Sequence, residues 1–285
     1  MAKTTRLKVK TPLKKKGVTK AEKKKPPKSK DNGALSRLTS LEDESGGVKL
    51  SLYGVSGTGK TRFIATWPKP ILVIDCNCGV KSIRDIKNID RIVPIDPEDL
   101  SELCEVQARE NRWKTIVLDH ASSFQDLVLG KVLGLEETPV QLGWGTATQQ
   151  QWGTVAAGMK EKLKQLLDLA DTTGCNSLVI AQQREFVPDE GSELVMPYVS
   201  SALSPSVVGY LGPAVDYICQ TYIRQKIVEK KIAGKMVKKK TMDMEYCLRT
   251  GPHPIYSTKF RVTKDVKLPV TIVDPTYDKI KGLIS

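Results

Sequence analysis

Eight residues constrain this chain more than any others: Gly54-Val55-Ser56-Gly57-Thr58-Gly59-Lys60-Thr61, which satisfy G-x-x-x-x-G-K-[ST] at every fixed position. Such a loop works only between a buried strand and the start of a helix, and the flanks supply both. Residues 48–53 read as a short strand, and residues 61–67 open a helix that Pro68 stops. The three glycines let successive backbone N–H groups turn towards one point, where they and the helix N-terminus stabilise phosphate oxygens. Lys60 is placed to reach the β- and γ-phosphates, and the Thr61 hydroxyl to ligate Mg²⁺. The loop residues Gly54, Val55, Ser56, Gly57, Thr58, Gly59, Lys60 and Thr61 are therefore the expected site for ATP with Mg²⁺.

The rest of the chain supplies an α/β pattern around this loop. Residues 71–75 (Ile-Leu-Val-Ile-Asp) and 115–119 (Thr-Ile-Val-Leu-Asp) are continuous apolar runs ending in a carboxylate, as expected of strands covered on both faces of a parallel sheet. The second matches the Walker B element. In a parallel sheet its end faces the same crevice as the phosphate loop, so Asp119 is expected to hold the metal opposite Thr61. Residues 91–95 form a third strand, at an edge because of Pro94. Residues 80–87 form a short helix, and a longer helix runs from an Asp96 N-cap, with Pro97 at its first position, to about residue 111. Apolar residues at helical spacing over 153–170 give another helix. Residues 177–181 make a strand that delivers Gln182-Gln183-Arg184 to the same edge.

Charge divides the chain unevenly. Residues 1–30 carry thirteen Lys/Arg and one Glu, so nearly all of the formal net charge of +13 lies there. This segment lacks apolar periodicity and reads as a disordered basic arm, either contacting nucleic-acid phosphates or solubilising the protein. With a polar linker it occupies residues 1–46, leaving 47–285 as one ATPase domain whose part from 225 onwards is rich in hairpins. No apolar run is long enough to span a membrane, and no signal peptide is evident, so a cytoplasmic location is expected. The six cysteines are scattered as reduced thiols usually are. Only Cys76 and Cys78 are close together, and with two histidines in the chain a zinc site has little support.

Three stretches are less regular. Residues 130–151 have no clear period and read as a long loop, in which Trp144 and Trp152 serve as packing anchors or as base-stacking platforms. Residues 185–213, punctuated by Pro and Gly, read as a loop-rich region. Residues 214–225 alternate as a strand, and the basic stretch 224–240 reads as a hairpin, either solvated or facing nucleic acid. Short strands follow over 242–248, 259–263 and 269–273, with a helical turn at 277–283.

This order of elements resembles a RecA-type P-loop NTPase core. More narrowly, it is similar to the phage nucleotide-binding proteins classed among the AAA ATPases, whose characterised members are single-strand annealing recombinases. The resemblance covers roughly residues 47–285 and implies a mainly parallel central sheet flanked by helices, with C-terminal β-hairpins. It implies that Gln182 senses the γ-phosphate and passes its state to a DNA-binding loop starting at Arg184. It also implies that Lys259 and Arg261, in Lys259-Phe260-Arg261, reach the γ-phosphate of a neighbouring protomer, a contribution worth about 10³ to 10⁵ in rate in other phosphate-loop enzymes. The implied partners are single-stranded DNA, further copies of the chain in a ring or filament, and a single-stranded-DNA-binding protein, in the cytoplasm of a host cell if the gene is a phage one.

One position departs from the family. A water-activating glutamate is expected two residues beyond the first strand-end Asp, but the chain reads Asp75-Cys76-Asn77. An amide cannot take a proton, though it can orient a water. Asp75 could replace the missing base only if the backbone brought it close enough. The sequence therefore supports a DNA-stimulated ATPase for annealing or recombination, with two alternatives: a nucleotide-gated DNA-binding or loader module with little hydrolysis, and a helicase or motor subunit.

Overall fold

The computed structural model describes residues 46–135, 147–187, 197–232, 235–262 and 266–284. In chain order these residues form β1 (Lys49–Gly54), α1 (Lys60–Ile64), β2 (Ile71–Asp75), a 3₁₀ turn (Val80–Ile83), β3 (Ile89–Ile92), α2 (Glu98–Glu110), β4 (Thr115–Asp119), α3 (Ala121–Val132), α4 (Gln149–Thr173), β5 (Asn176–Phe186), β6 (Tyr198–Ser201), α5 (Pro205–Ala214), β7 (Tyr217–Ile232), β8 (Lys235–Arg249), β9 (Lys259–Phe260), β10 (Thr271–Val273) and α6 (Tyr277–Ile280). The strands form one sheet in the order β10-β8-β7-β1-β5-β4-β2-β3. From β7 to β3 every neighbouring pair is parallel, whereas β8 and β10 extend the sheet with antiparallel pairings.

The apolar runs are continuous because both faces of the sheet are covered. Alternate side chains of one strand enter different cores: Ile71 and Val73 pack with Phe63, Ile64 and Trp67 beside α1, while Leu72 and Ile74 pack with Leu100, Phe124, Met159 and Leu163 beneath α2, α3 and α4. Each fully buried aliphatic of this kind contributes roughly 1.5–3 kcal/mol. The long helix α4 starts at a capping box, in which the Thr148 hydroxyl accepts from Gln151 N while the Gln151 side chain accepts from Thr148 N. It stops at Gly174, whose φ of 71° closes the helix in the left-handed region.

Several expectations are corrected. Pro94 does accompany an edge strand, but β3 ends at Ile92, before the proline. Helix α2 begins at Glu98, and Asp96 still serves its start by accepting from Glu98 N at 2.8 Å. The stretch 80–87 forms only the 3₁₀ turn. The long loop is shortened from both ends by α3 and α4, and residues 136–146, including Trp144, lie outside the described residues. Trp152 belongs to α4 and packs against the larger core as an anchor. Strand β5 continues to Phe186, so Arg184 is paired with Ser200 of β6 and does not begin a loop. Within the loop-rich stretch, β6 and the helix α5 are formed, with Pro205 at its first turn and Pro213 in its last, while residues 188–196 lie outside the described residues. The stretches 214–225, 224–240 and 242–248 merge into one long ribbon, β7–β8, which skips a register position between Gln225 and Ile227.

Candidate nucleotide site

Five parallel strands meet at one edge, where Gly54 lies opposite Gln182 and Thr221, and Asp75 opposite Asp119. Strand β5 lies between β1 and β4, so the phosphate loop and Asp119 are separated by one strand and face each other across its end. In open α/β sheets this carboxyl edge is where ligands bind.

The loop itself is formed as a cradle. Gly57 and Gly59 have φ of 83° and 86°, values that a side chain would strain. Val55, Ser56 and Gly57 form an exposed crest, and Gly59 caps α1, whose first residues aim their N–H groups into the loop. Lys60 is 7 % exposed, and its ammonium donates to Gly54 O at 2.8 Å and Val55 O at 2.9 Å. Burial lowers the pKa of this lysine, partly offset by the nearby Asp119 carboxylate. The Thr61 hydroxyl donates to Asp119 Oδ2 at 3.0 Å. Burial raises the pKa of Asp119, while the Thr61 hydrogen bond and Lys60 oppose that rise. A hydroxyl and a carboxylate oxygen at this spacing, beside an ammonium and a left-handed glycine loop, fit a magnesium–triphosphate group. When bound, the metal would neutralise phosphate charge. Thr61 and Asp119 would hold it, and Lys60 would exchange its two backbone acceptors for phosphate oxygens.

Asp75 is fully buried, and both of its carboxylate oxygens are engaged. Its Oδ1 accepts from Gly79 N at 2.9 Å and its Oδ2 from Arg91 Nε at 2.7 Å. These bonds fix the turn 76–79 that carries Asn77, so Asp75 positions its neighbour instead of substituting for a base. The Asn77 amide lies 2.9 Å from His120 Nε2 and 2.7 Å from Ser123 Oγ. His120 Nδ1 accepts from Ser123 N at 3.2 Å and so caps α3. Burial, reinforced by Lys60, pushes the His120 pKa down to about 4, so the ring is neutral. The Asn77 Nδ2 faces His120 Nε2, and the Asn77 amide oxygen accepts from the Ser123 hydroxyl. Asn77 is held at both ends beside Asp119.

Gln182 ends the part of β5 that pairs with β1, is half-buried, and donates its backbone N–H to Ser122 Oγ at 3.2 Å. Lys259 and Arg261 lie at the opposite end of the sheet from the loop, because β9 pairs with Tyr217 and Ile218 at the start of β7. Lys259 Nζ donates to Gly212 O at 2.9 Å and Val215 O at 2.6 Å, satisfying carbonyls at the end of α5, and Arg261 pairs with Asp216. Within one chain they do not reach the phosphate loop.

A family model described as AAA domain matches residues 46–262. The chain belongs to the AAA domain family. No curated protein matches it. An AAA domain is a P-loop nucleotide-binding module, which agrees with the geometry of the loop, Thr61 and Asp119. Among the described residues, no helix of this AAA domain is long and apolar enough to cross a membrane.

Sequence reasoning missed four residues of this site. His120 and Ser123 hold Asn77, and from the base of the β7–β8 ribbon Thr221 braces the loop while Tyr246 lies against it. Thr221 Oγ1 lies 2.7 Å from Thr58 Oγ1, and the Tyr246 ring rests on Gly59. Only His120, next to Asp119 and one of two histidines, left a visible signal.

Proposed function

We propose that this AAA domain is a magnesium-dependent ATPase that binds single-stranded DNA, is stimulated by it, and promotes annealing or homologous recombination as a ring or filament. The observation that carries the reading is the ribbon. Its base touches the phosphate loop through Thr221, and its far end carries the basic stretch 224–240, with eight Lys/Arg and one Glu. A polyanion held along the ribbon is thereby joined through one pair of hydrogen-bonded strands to the bound nucleotide. The basic arm adds charge to the same partner, and a single-stranded-DNA-binding protein would deliver it. Lys259 and Arg261, remote from their own loop, would complete a neighbour's site once released from Asp216 and α5.

The test is affinity for single-stranded DNA, with and without ATP, across a salt series, together with turnover with and without DNA. The expected result is binding that weakens steeply with salt and turnover that rises with DNA. Affinity independent of both salt and nucleotide would overturn the reading.

Asn77 favours a second reading, a nucleotide-gated module that holds ATP and scarcely hydrolyses it. The amide is held between His120 and Ser123 and cannot take a proton from the attacking water. Asn77→Glu supplies a carboxylate that can take a proton where the amide cannot. It is expected to raise turnover, and an unchanged rate would exclude the missing base as the cause of slow hydrolysis.

A further inference from the structure

Two stretches far from α1 in sequence, at Tyr246 and over 273–279, converge along one of its flanks. Tyr246 of β8 lies on the loop: a Cβ placed on Gly59 would stand 3.2 Å from Tyr246 Cδ1 and 3.7 Å from Cε1. Asp274, just past β10, donates its N–H to Tyr246 O at 2.7 Å, and Lys279 Nζ ties the carbonyls of Val273 and Asp274 together at 2.8 Å each. At the far end of α1, Tyr277 N donates to Thr66 Oγ1 at 2.8 Å, and the Tyr277 and Trp67 rings meet at 5.1 Å between centroids. A wall therefore runs from Gly59 to Thr66 beside the helix that receives the phosphates.

Tyr246 is 45 % exposed, and Ile223, its partner in the ribbon register, is 36 % exposed. Among the described residues no hydrogen bond engages its hydroxyl. A half-exposed aromatic ring in contact with the last glycine of a phosphate cradle adds little to core burial. It does present a π-face where a nucleoside attached to those phosphates leaves the loop.

We infer that Tyr246 is the platform on which the nucleobase of the bound nucleotide stacks. This rests on the reading that the loop binds a nucleotide, and it assigns the half of the ligand that the loop does not hold. Stacking on an aromatic face tolerates any base and contributes a factor of about ten in affinity. The same ring spans the ribbon and the loop, so base occupancy and ribbon position share one contact.

Calorimetric titration of the full chain with Mg-ATP and, separately, with magnesium tripolyphosphate tests the inference. Wild type, Tyr246→Phe and Tyr246→Ala are compared. The expected result is that Tyr246→Ala loses about tenfold in ATP affinity and keeps wild-type tripolyphosphate affinity, while Tyr246→Phe retains both. Equal losses for both ligands would assign Tyr246 to bracing the loop and overturn the inference. No change for either would also overturn it and move the base elsewhere, for example to the cleft of about 490 Å³ lined by Val73, Val80, Ile83 and Ile89 under Lys81 and Arg84. Failure of the wild-type chain to bind either ligand would overturn the nucleotide reading itself, a result distinct from the other two.

Discussion

The phosphate loop and the β7–β8 ribbon meet at Thr58–Thr221 and Gly59–Tyr246, yet they are built on opposite principles. The loop side is local: strand, loop and helix follow within about twenty residues, β1, β5, β4 and β2 each lie between two other strands, and the functional atoms are fixed by parallel register. The ribbon is non-local, and beyond Thr221 it is held mainly by its own two strands. Chemistry concentrates where the chain is over-determined. The proposed contact with DNA falls where it is not.

The largest expected effect is on the rigid side. Lys60→Ala should lower ATP binding or turnover by about 10² to 10³, the range for removing one preorganised charge-stabilising donor. Melting temperature should hardly change, because the Lys60 ammonium bonds only to two loop carbonyls. A fully active variant would remove the loop from the mechanism.

Next in size is Asn77→Glu, expected to raise turnover by about 10² if general-base assistance is what the site lacks. His120→Ala in the Asn77 background frees one end of the amide and should lower kcat more than it raises KM, as read from steady-state kinetics.

On the ribbon side, replacing Lys226, Lys238, Lys239 and Lys240 by alanine should weaken single-stranded DNA binding. Its salt dependence should flatten by about 0.7 in slope for each phosphate no longer neutralised, while basal turnover stays near wild type. Turnover falling in parallel without DNA would mean that the two regions are not separable. The smallest effect is expected for Thr221→Val, which removes one hydrogen bond to the loop at a cost of about 1 kcal/mol in stability and reduces DNA stimulation before basal rate.

Legibility in the sequence follows the same division. Strands β2 and β4 are readable because both faces are buried, which turns 71–75 and 115–119 into unbroken apolar runs. The loop, Thr61 and Asp119 are readable because their spacing follows from strand and turn geometry. Helix α3 is not, because its N-cap is His120, outside the usual Ser, Thr, Asp or Asn set. The extension of β5 through Arg184 is hidden because its partner β6 follows an irregular stretch. The bracing of Thr58 by Thr221 joins residues 163 positions apart, and no local pattern encodes it. The positions of Lys259 and Arg261 depend on the pairing of the two-residue β9, too short to leave a period.

The ribbon also bears on how the protein behaves at high concentration. Among the described pairings, β7 meets a second neighbour only as far as Thr221, and β8 only from Tyr246 onward, so the outer edges between lack a described strand partner. Such edges recruit further strands and drive aggregation, and a dense set of lysines is a common safeguard. Charges of this kind oppose edge-to-edge pairing, so screening them with salt, or replacing them, is expected to promote self-association through the ribbon edges.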